Sequence, residues 1–326
     1  MVVHRRLKKE PVVPDNFADR LLKAIKAKNA PVCVGIDPVY GKLPAEITEH
    51  RAMNDETDSE AALDAVLEFC RRAIRIVAPL VPAVKINAAF FERYYWEGIE
   101  AYYELIQEAS DVGLLVIGDC KRGDIGSTAE MYARSALSDP DFGNLDDMVG
   151  PDAITVSSYF GLDGLQPFLD VARDEAKGVF ALVRTSNPSA DIIQNAKLEG
   201  GLTVAEHVAQ QVAAWGSDPS LMGSSGYSLL GAVVAPTDAD QTVRLRGMLP
   251  NAILLVPGFG AQGGTAADIA PCFKSDGTGA LISASRSILY AFDEMRYIER
   301  FPSEWDKCIE QACKDFIRDV NSVRPN

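Results

Sequence analysis

Eight short, nearly unbroken apolar runs punctuate the chain: VCVGID (32–37), VPAVKIN (81–87), LLVIGD (114–119), AITVSS (153–158), VFALVRTS (179–186), LLGAVVA (229–235), AILLVPG (252–258) and GALISAS (279–285). Continuous Val, Ile, Leu and Ala, rather than strict alternation, is the pattern of strands covered on both faces, as in a parallel sheet. The stretches between them follow the other period. Leu63, Val66, Leu67, Cys70, Ile74, Val77 and Ala78 recur at helical spacing, with Glu68, Arg71, Arg72 and Arg75 off the stripe and Pro79 at its end. Segments 92–110, 126–138, 161–176, 203–215, 238–247 and 263–273 are further helix candidates. Eight strands alternating with helices predict a closed (β/α)₈ barrel; an open doubly wound sheet would leave two runs unexplained.

Decorations surround this core. Residues 1–14 read as a tail, 15–29 as a helix capping the barrel bottom, and 302–322 as a terminal helix. Residues 41–60 form a polar insertion after the first strand, and 186–202 and 216–228 are Gly/Ser/Asn-rich loops. No linker calls for a second domain, so residues 1–326 are expected to be a single barrel domain.

Composition narrows the function. A chain of 326 residues, 47% of them hydrophobic, can bury a large core, and single α/β barrels reach this size. The net charge of -14 argues against nucleic acid or an acidic membrane surface as a partner, and an anionic small substrate would need a local cationic pocket. Six cysteines without a CxxC pair read as thiols of a reducing compartment. His4, His50 and His207 all lie outside the chemically dense stretches, which argues against a His-based triad or a zinc site. The basic N-terminus lacks an apolar core of its own, and no run approaches the roughly 18 apolar residues of a membrane span, so the cytoplasm is the expected compartment.

In barrels of this kind the C-terminal strand ends carry function. Those ends supply Asp37, Lys85, Asp119 with Lys121, Ser157, Ser186, Pro236 with Thr237, Gln262 and Arg286. Asp119 and Lys121 are two apart, so along a strand both point into the barrel mouth, with Lys85 projecting toward them from the neighbouring strand. Two acids and two lysines make an alternating array in which each charge favours the ionised form of its neighbours. After the seventh and eighth strands, PGFGAQGG (257–264) and SASRSI (283–288) have the make-up of a phosphate cradle, with backbone N–H groups and a bidentate arginine. The bland alternatives are an ion-pair cluster tying the rim, and glycine turns.

These residues resemble a known family. DCKRGDIGSTA (119–129) is similar to the DAKRGDIGSTA-type motif of a bacterial subgroup of orotidine 5'-phosphate decarboxylases. CVGIDP (33–38), KINAAFFE (85–92), RTSNPS (184–189), PGFGAQGG and SASRSI match in the same order. The resemblance implies that Asp37 and Lys85 bind ribose hydroxyls and orient the array, that Asp119 faces the substrate carboxylate, and that Lys121 protonates C6 of the pyrimidine. It further implies that Asp124 and Thr128 reach into the partner subunit's site in a homodimer, that Ser186 bonds the pyrimidine, and that Gln262 and Arg286 hold the phosphate. Ser157 and Ser158 stand where many subgroup members have Asn-Pro. The implied activity is decarboxylation of orotidine 5'-monophosphate to UMP, the final step of UMP synthesis, without metal or cofactor; no pyridoxal or thiamine motif appears. Two alternatives stay open at this point. One is a Mg²⁺-dependent sugar-phosphate synthase or decarboxylase of the same barrel superfamily, which would carry an acid in place of Lys85. The other is a non-catalytic nucleotide-binding barrel.

Overall fold

The computed structural model describes residues 15–49, 58–138, 142, 148–259 and 265–325. Eight parallel strands close into one barrel in sequence order: β1 (Val32–Ile36), β2 (Ala83–Asn87), β3 (Leu115–Arg122), β4 (Ala153–Val156), β5 (Gly178–Arg184), β6 (Leu230–Val234), β7 (Leu254–Val256) and β8 (Ala280–Ala284). Val32–Val34 pair with Ile282–Ala284 to complete the ring. All eight apolar runs are strands, trimmed by a residue or two at most ends, except β3, which runs on through Asp119 and Lys121 to Arg122. Helices separate the strands and turn their apolar stripes onto the sheet. The helix Ser59–Val77 is capped by Asp58, whose carboxylate accepts from the Glu60 and Ala61 N–H groups.

One expected helix is cut short. From Ala266 the chain makes only the single turn Ala266–Ile269 and then a 3₁₀ turn, Ala270–Cys272. Pro271 offers no N–H to continue an i→i−4 ladder, so the 263–273 segment cannot run as one helix. Residues 50–57 of the polar insertion lie outside the described residues; before them come a 3₁₀ turn, Tyr40–Lys42, and a short helix, Ala45–Glu49. Glu46 there accepts from the Trp305 indole N–H at 3.0 Å and pairs with Arg72 at 2.9 Å. Among the described residues no helix is long and apolar enough to cross a membrane.

The helix Phe17–Lys28 lies across the N-terminal mouth. Phe17, Ala18, Leu21 and Ile25 pack among the inward-facing Cys33, Ala83, Ile117, Ala153, Phe180 and Leu281. Phe17 meets Phe180 edge-on, ring centroids 5.9 Å apart. Arg20 fastens the helix to Asp152 at 2.6 Å, and Asp152 in turn accepts the Val116 N–H of β3 at 2.9 Å. With that end filled by side chains, the polar strand ends collect at the opposite mouth. Phe17→Ala should lower the unfolding free energy by about 3–5 kcal/mol, the cost of a large cavity at a site ringed by the barrel. Urea unfolding followed by circular dichroism checks this, and a loss under about 1 kcal/mol would mark the helix as an appendage.

Candidate active site

A cavity of about 240 Å³ opens at the C-terminal mouth, bordered by Asp37, Lys85, Asp119, Lys121, Thr155, Ser186, Gly258, Ser285 and Arg286. Its floor is a chain of charges. Lys85 Nζ donates to Asp119 Oδ2 at 2.6 Å, Lys121 Nζ donates to Asp119 Oδ1 at 2.5 Å, and Asp37 Oδ1 lies 3.9 Å from Lys85 Nζ. The register explains the meeting: Lys85 sits opposite Ile117, and Asn87 opposite Asp119, so Lys85 reaches along β2 toward the end of β3. The Lys85 and Asp119 side chains are under a tenth exposed, whereas that of Lys121 is half exposed to the cavity.

Burial alone would raise the Asp119 carboxyl, but the Lys85 and Lys121 ammonium groups override it and hold the group well below the usual carboxylate range. Burial would likewise discharge Lys85, yet Asp119 and then Asp37 push it above its ordinary value. Both groups therefore stay charged at neutral pH. Thr155 adds a third donor, its hydroxyl reaching Asp119 Oδ1 at 3.0 Å. Lys121 itself is held at φ 43°, in the left-handed region, which costs a side-chain-bearing residue about 1–3 kcal/mol.

Asp37 is anchored from behind. Tyr290 donates its hydroxyl to the Asp37 carbonyl at 3.0 Å and accepts the Val39 N–H at 2.8 Å. Two buried oxygens at the cavity wall, Asp37 Oδ1 and Ser285 Oγ, have no hydrogen-bond partner among the described residues. An unpaired buried polar atom costs about 1–3 kcal/mol, so a polar ligand group gains most beside these two. Gly35 makes the crowding possible, because a Cβ there would stand 2.8 Å from that of Ser285. Gly258 turns the chain after β7 at φ 99°, and Arg286 opens the turn after β8 with its side chain exposed at the rim.

The loop carrying Ser186 hangs on a buried arginine. Arg184 donates to Gln241 Oε1, Gln194 Oε1 and Thr237 Oγ1, each at 3.0 Å, and pairs with Asp191. Gln194 also accepts the Thr185 N–H at 2.9 Å, so one side chain clamps the strand end and the following loop together.

Of the residues singled out in the sequence, Asp37, Lys85, Asp119, Lys121, Ser186 and Arg286 come together at this cavity. Asp124 and Thr128 do not line it; Asp124 lies two residues before the helix Gly126–Leu137, and Thr128 is exposed in its first turn. Gln262 lies outside the described residues. Thr155, Arg184 and Ser285 were missed. Parity held the signal for Thr155, since Ala153 faces the barrel interior and residue 155 shares that face. Arg184, a full charge ending an apolar run, was a signal of the same kind as Asp119.

The family model for orotidine 5'-phosphate decarboxylase / HUMPS matches residues 31–301. An orotidine 5'-phosphate decarboxylase of Rhodopirellula baltica is 40% identical over 299 residues, spanning 91% of this chain and 96% of that one. One from Caldicellulosiruptor saccharolyticus is 36% identical over 309 residues, 94% and 99% of the two chains. Among solved structures, Leishmania donovani OMP decarboxylase superimposes with a TM-score of 0.68 at 30% identity, covering 95% of this chain and 99% of that one.

The charge chain makes a pH-dependent prediction. Asp119 has its carboxyl depressed below the ordinary 3.8, so its contribution is complete above that value and is lost as the pH falls through the lower, folded-state value. Lys85, raised above the ordinary 10.5, contributes fully below that value and loses it only as the pH rises further. Asp119→Asn should therefore destabilise by roughly 3 kcal/mol, with a gap to wild type that holds from about pH 5 to neutral pH and narrows below about pH 4 as the wild-type carboxylate is lost. Urea unfolding of both proteins across that range measures it. A gap that stays flat below about pH 4 as well would show the carboxyl titrating at its ordinary value, because a group with the same value folded and unfolded adds no pH dependence.

Proposed function

The chain belongs to the orotidine 5'-phosphate decarboxylase / HUMPS family, and we propose that its chemistry is done by the Lys85–Asp119–Lys121 charge chain at the barrel mouth. The enzyme is a carboxy-lyase that converts orotidine 5'-monophosphate to UMP and CO₂ in pyrimidine biosynthesis. The observation that carries the mechanism is a buried, ionised carboxylate held at 2.6 and 2.5 Å by two ammonium groups, one of them free on its far side to face a ligand.

The reaction breaks the bond between C6 and the carboxylate carbon. CO₂ departs and the electron pair stays on C6, in the plane of the pyrimidine, where no π system can spread it. A pre-positioned positive charge aimed at that atom lowers the barrier by electrostatics, with no reorganisation during the step. Lys121 supplies that charge and then gives C6 a proton. Asp119, beside the departing carboxylate, fixes the Lys121 ammonium and disfavours a second anion next to it. Lys85 keeps Asp119 ionised and, with Asp37, bonds the ribose hydroxyls; an Asp37 oxygen that receives no hydrogen bond among the described residues supports that assignment. Ser186 bonds the pyrimidine, and Arg286 with Gln262 holds the phosphate. An ammonium at Lys85 also sets this chain apart from relatives that would coordinate a divalent ion with an acid at that position.

The active unit is a homodimer in this reading. Around Asp124 the surface is apolar and exposed: Ile125 at 56%, Met131 at 57% and Tyr159 at 88%. Phe160 abuts Gly123, which sets the Tyr159–Phe160 pair beside Asp124 and Ile125 as an apolar patch. A second copy covering that patch would carry Asp124 and Thr128 to its neighbour's cavity. All six cysteines are free thiols, five of them buried, which supports a reducing compartment such as the cytoplasm.

Lys121→Ala should lower kcat by about 10³-fold or more while UMP still binds within about threefold of wild type, read by the ultraviolet change of orotidine monophosphate and by calorimetry. A near-normal kcat would overturn the role of this lysine. The wild-type assay should be unaffected by EDTA, and a strict divalent-ion requirement would favour the sugar-phosphate branch of the family. Homodimers of Asp124→Ala and of Lys85→Ala, each inactive, should regain activity when mixed, because one composite site is then intact. Silence of the mixture despite demonstrated subunit exchange would argue against a shared site.

A further inference from the structure

Strand β3 does not run evenly beside β4. Gly118 pairs with Ile154 and Arg122 with Val156, so β3 spends two more residues than its neighbour between the same rungs. The surplus residues leave the ladder there, and Lys121 takes its left-handed backbone inside that bulge. Regular pairing resumes immediately after, with the Ser157 N–H donating to the Arg122 carbonyl at 2.7 Å. What fills the interrupted rungs is a side chain. The Lys121 N–H is accepted by Thr155 Oγ1 at 2.9 Å, and the same hydroxyl donates its one proton to Asp119 Oδ1. Thr155 is 1% exposed, so water cannot stand in for it.

We propose that Thr155 is a positioning residue for the decarboxylation: its hydroxyl locks the bulge backbone of Lys121 and the carboxylate plane of Asp119 in one geometry. This rests on the assignment of Lys121 and Asp119 above. The ladder on either side holds the two strands together without Thr155, so the hydroxyl is spare for folding. For aim it is not spare. Ion pairs fix the distance between Asp119 and Lys121 but not the torsion of either side chain, and a fraction of an ångström at a reacting atom changes rate far more than affinity. The hydroxyl supplies the missing constraint by joining the lysine backbone to the carboxylate through a single atom.

The test compares Thr155→Val, which keeps the shape and removes the hydroxyl, with Thr155→Ser, which keeps the hydroxyl and removes a methyl. Each is assayed for kcat with orotidine monophosphate and for UMP affinity by calorimetry, alongside Lys121→Ala. Thr155→Val should lose kcat by roughly ten- to a hundredfold with UMP affinity within about twofold of wild type, and Thr155→Ser should recover most of that loss. Wild-type kcat in Thr155→Val overturns the proposal. So does a parallel loss of kcat and UMP binding, a failure of Thr155→Ser to recover, or a Thr155→Val protein that does not fold, since each makes the residue a general support of the pocket. A Lys121→Ala variant that keeps its activity would sink the underlying mechanism instead.

Discussion

The site depends on keeping one carboxylate ionised where water cannot solvate it. Asp119 is buried at the mouth of a closed barrel, where desolvation works to neutralise it, and it stays charged because the Lys85 and Lys121 ammonium groups flank it. The compensation is mutual. Lys85 is equally buried and stays charged only because Asp119 and Asp37 flank it. Such a chain behaves as a unit: with all members present the charges sum to zero, and removing any one strands its neighbours in a poorly solvated setting. That coupling is why carboxylates and lysines alternate here, and why the array sits on strands whose backbones cannot drift.

The fold serves this constraint from two directions. At the far mouth, Phe17 and its helix fill the barrel with apolar side chains, so strand rigidity at the near mouth comes from the core as well as from the ladder. Behind Asp37, Tyr290 stacks on Phe69, and Phe69 packs on Trp305 at the start of the terminal helix. Trp305 in turn bonds Glu46 of the short helix after β1. Elements far apart in sequence thus converge on one backbone carbonyl. The decorations of the barrel hold the acid that begins the charge chain.

Much of this was legible in the chain. Strands buried on both faces advertise themselves as apolar runs, so all eight were visible, and the charges ending them stood out because a buried strand has no structural use for them. The failures have physical causes. Pro271 broke a helix that periodicity alone had extended. The two-residue spacing of Asp119 and Lys121 correctly placed both at the mouth but implied a regular strand, and no one-dimensional pattern reveals a bulge or a left-handed lysine. Thr155 was hidden because a threonine inside an apolar run reads as an ordinary strand former. Arg184 read as a strand terminus, and its role as the clamp of the Ser186 loop emerged only from the partners that three dimensions bring to it. Asp124 and Thr128 were singled out only through a motif, and neither lines this chain's cavity.

A self-neutralised charge chain also dictates how the substrate must be held. Because Lys121 is already paired with Asp119, the array has little net attraction for an incoming anion, and the protein's net charge of -14 repels one. A carboxylate placed beside Asp119 must therefore be pressed there by binding free energy collected elsewhere. Arg286 and the turn at Gly258 also border the cavity, and under the proposed function they are where that binding free energy would be collected. Contacts made equally in ground and transition state contribute nothing to the chemical step by themselves, but they can hold the reacting group in a setting it would otherwise avoid. Under the proposed mechanism the Arg286 rim and the charge chain would be two halves of one device: the first would compel the approach that the second, by being already satisfied, resists until the negative charge moves from the carboxylate to C6.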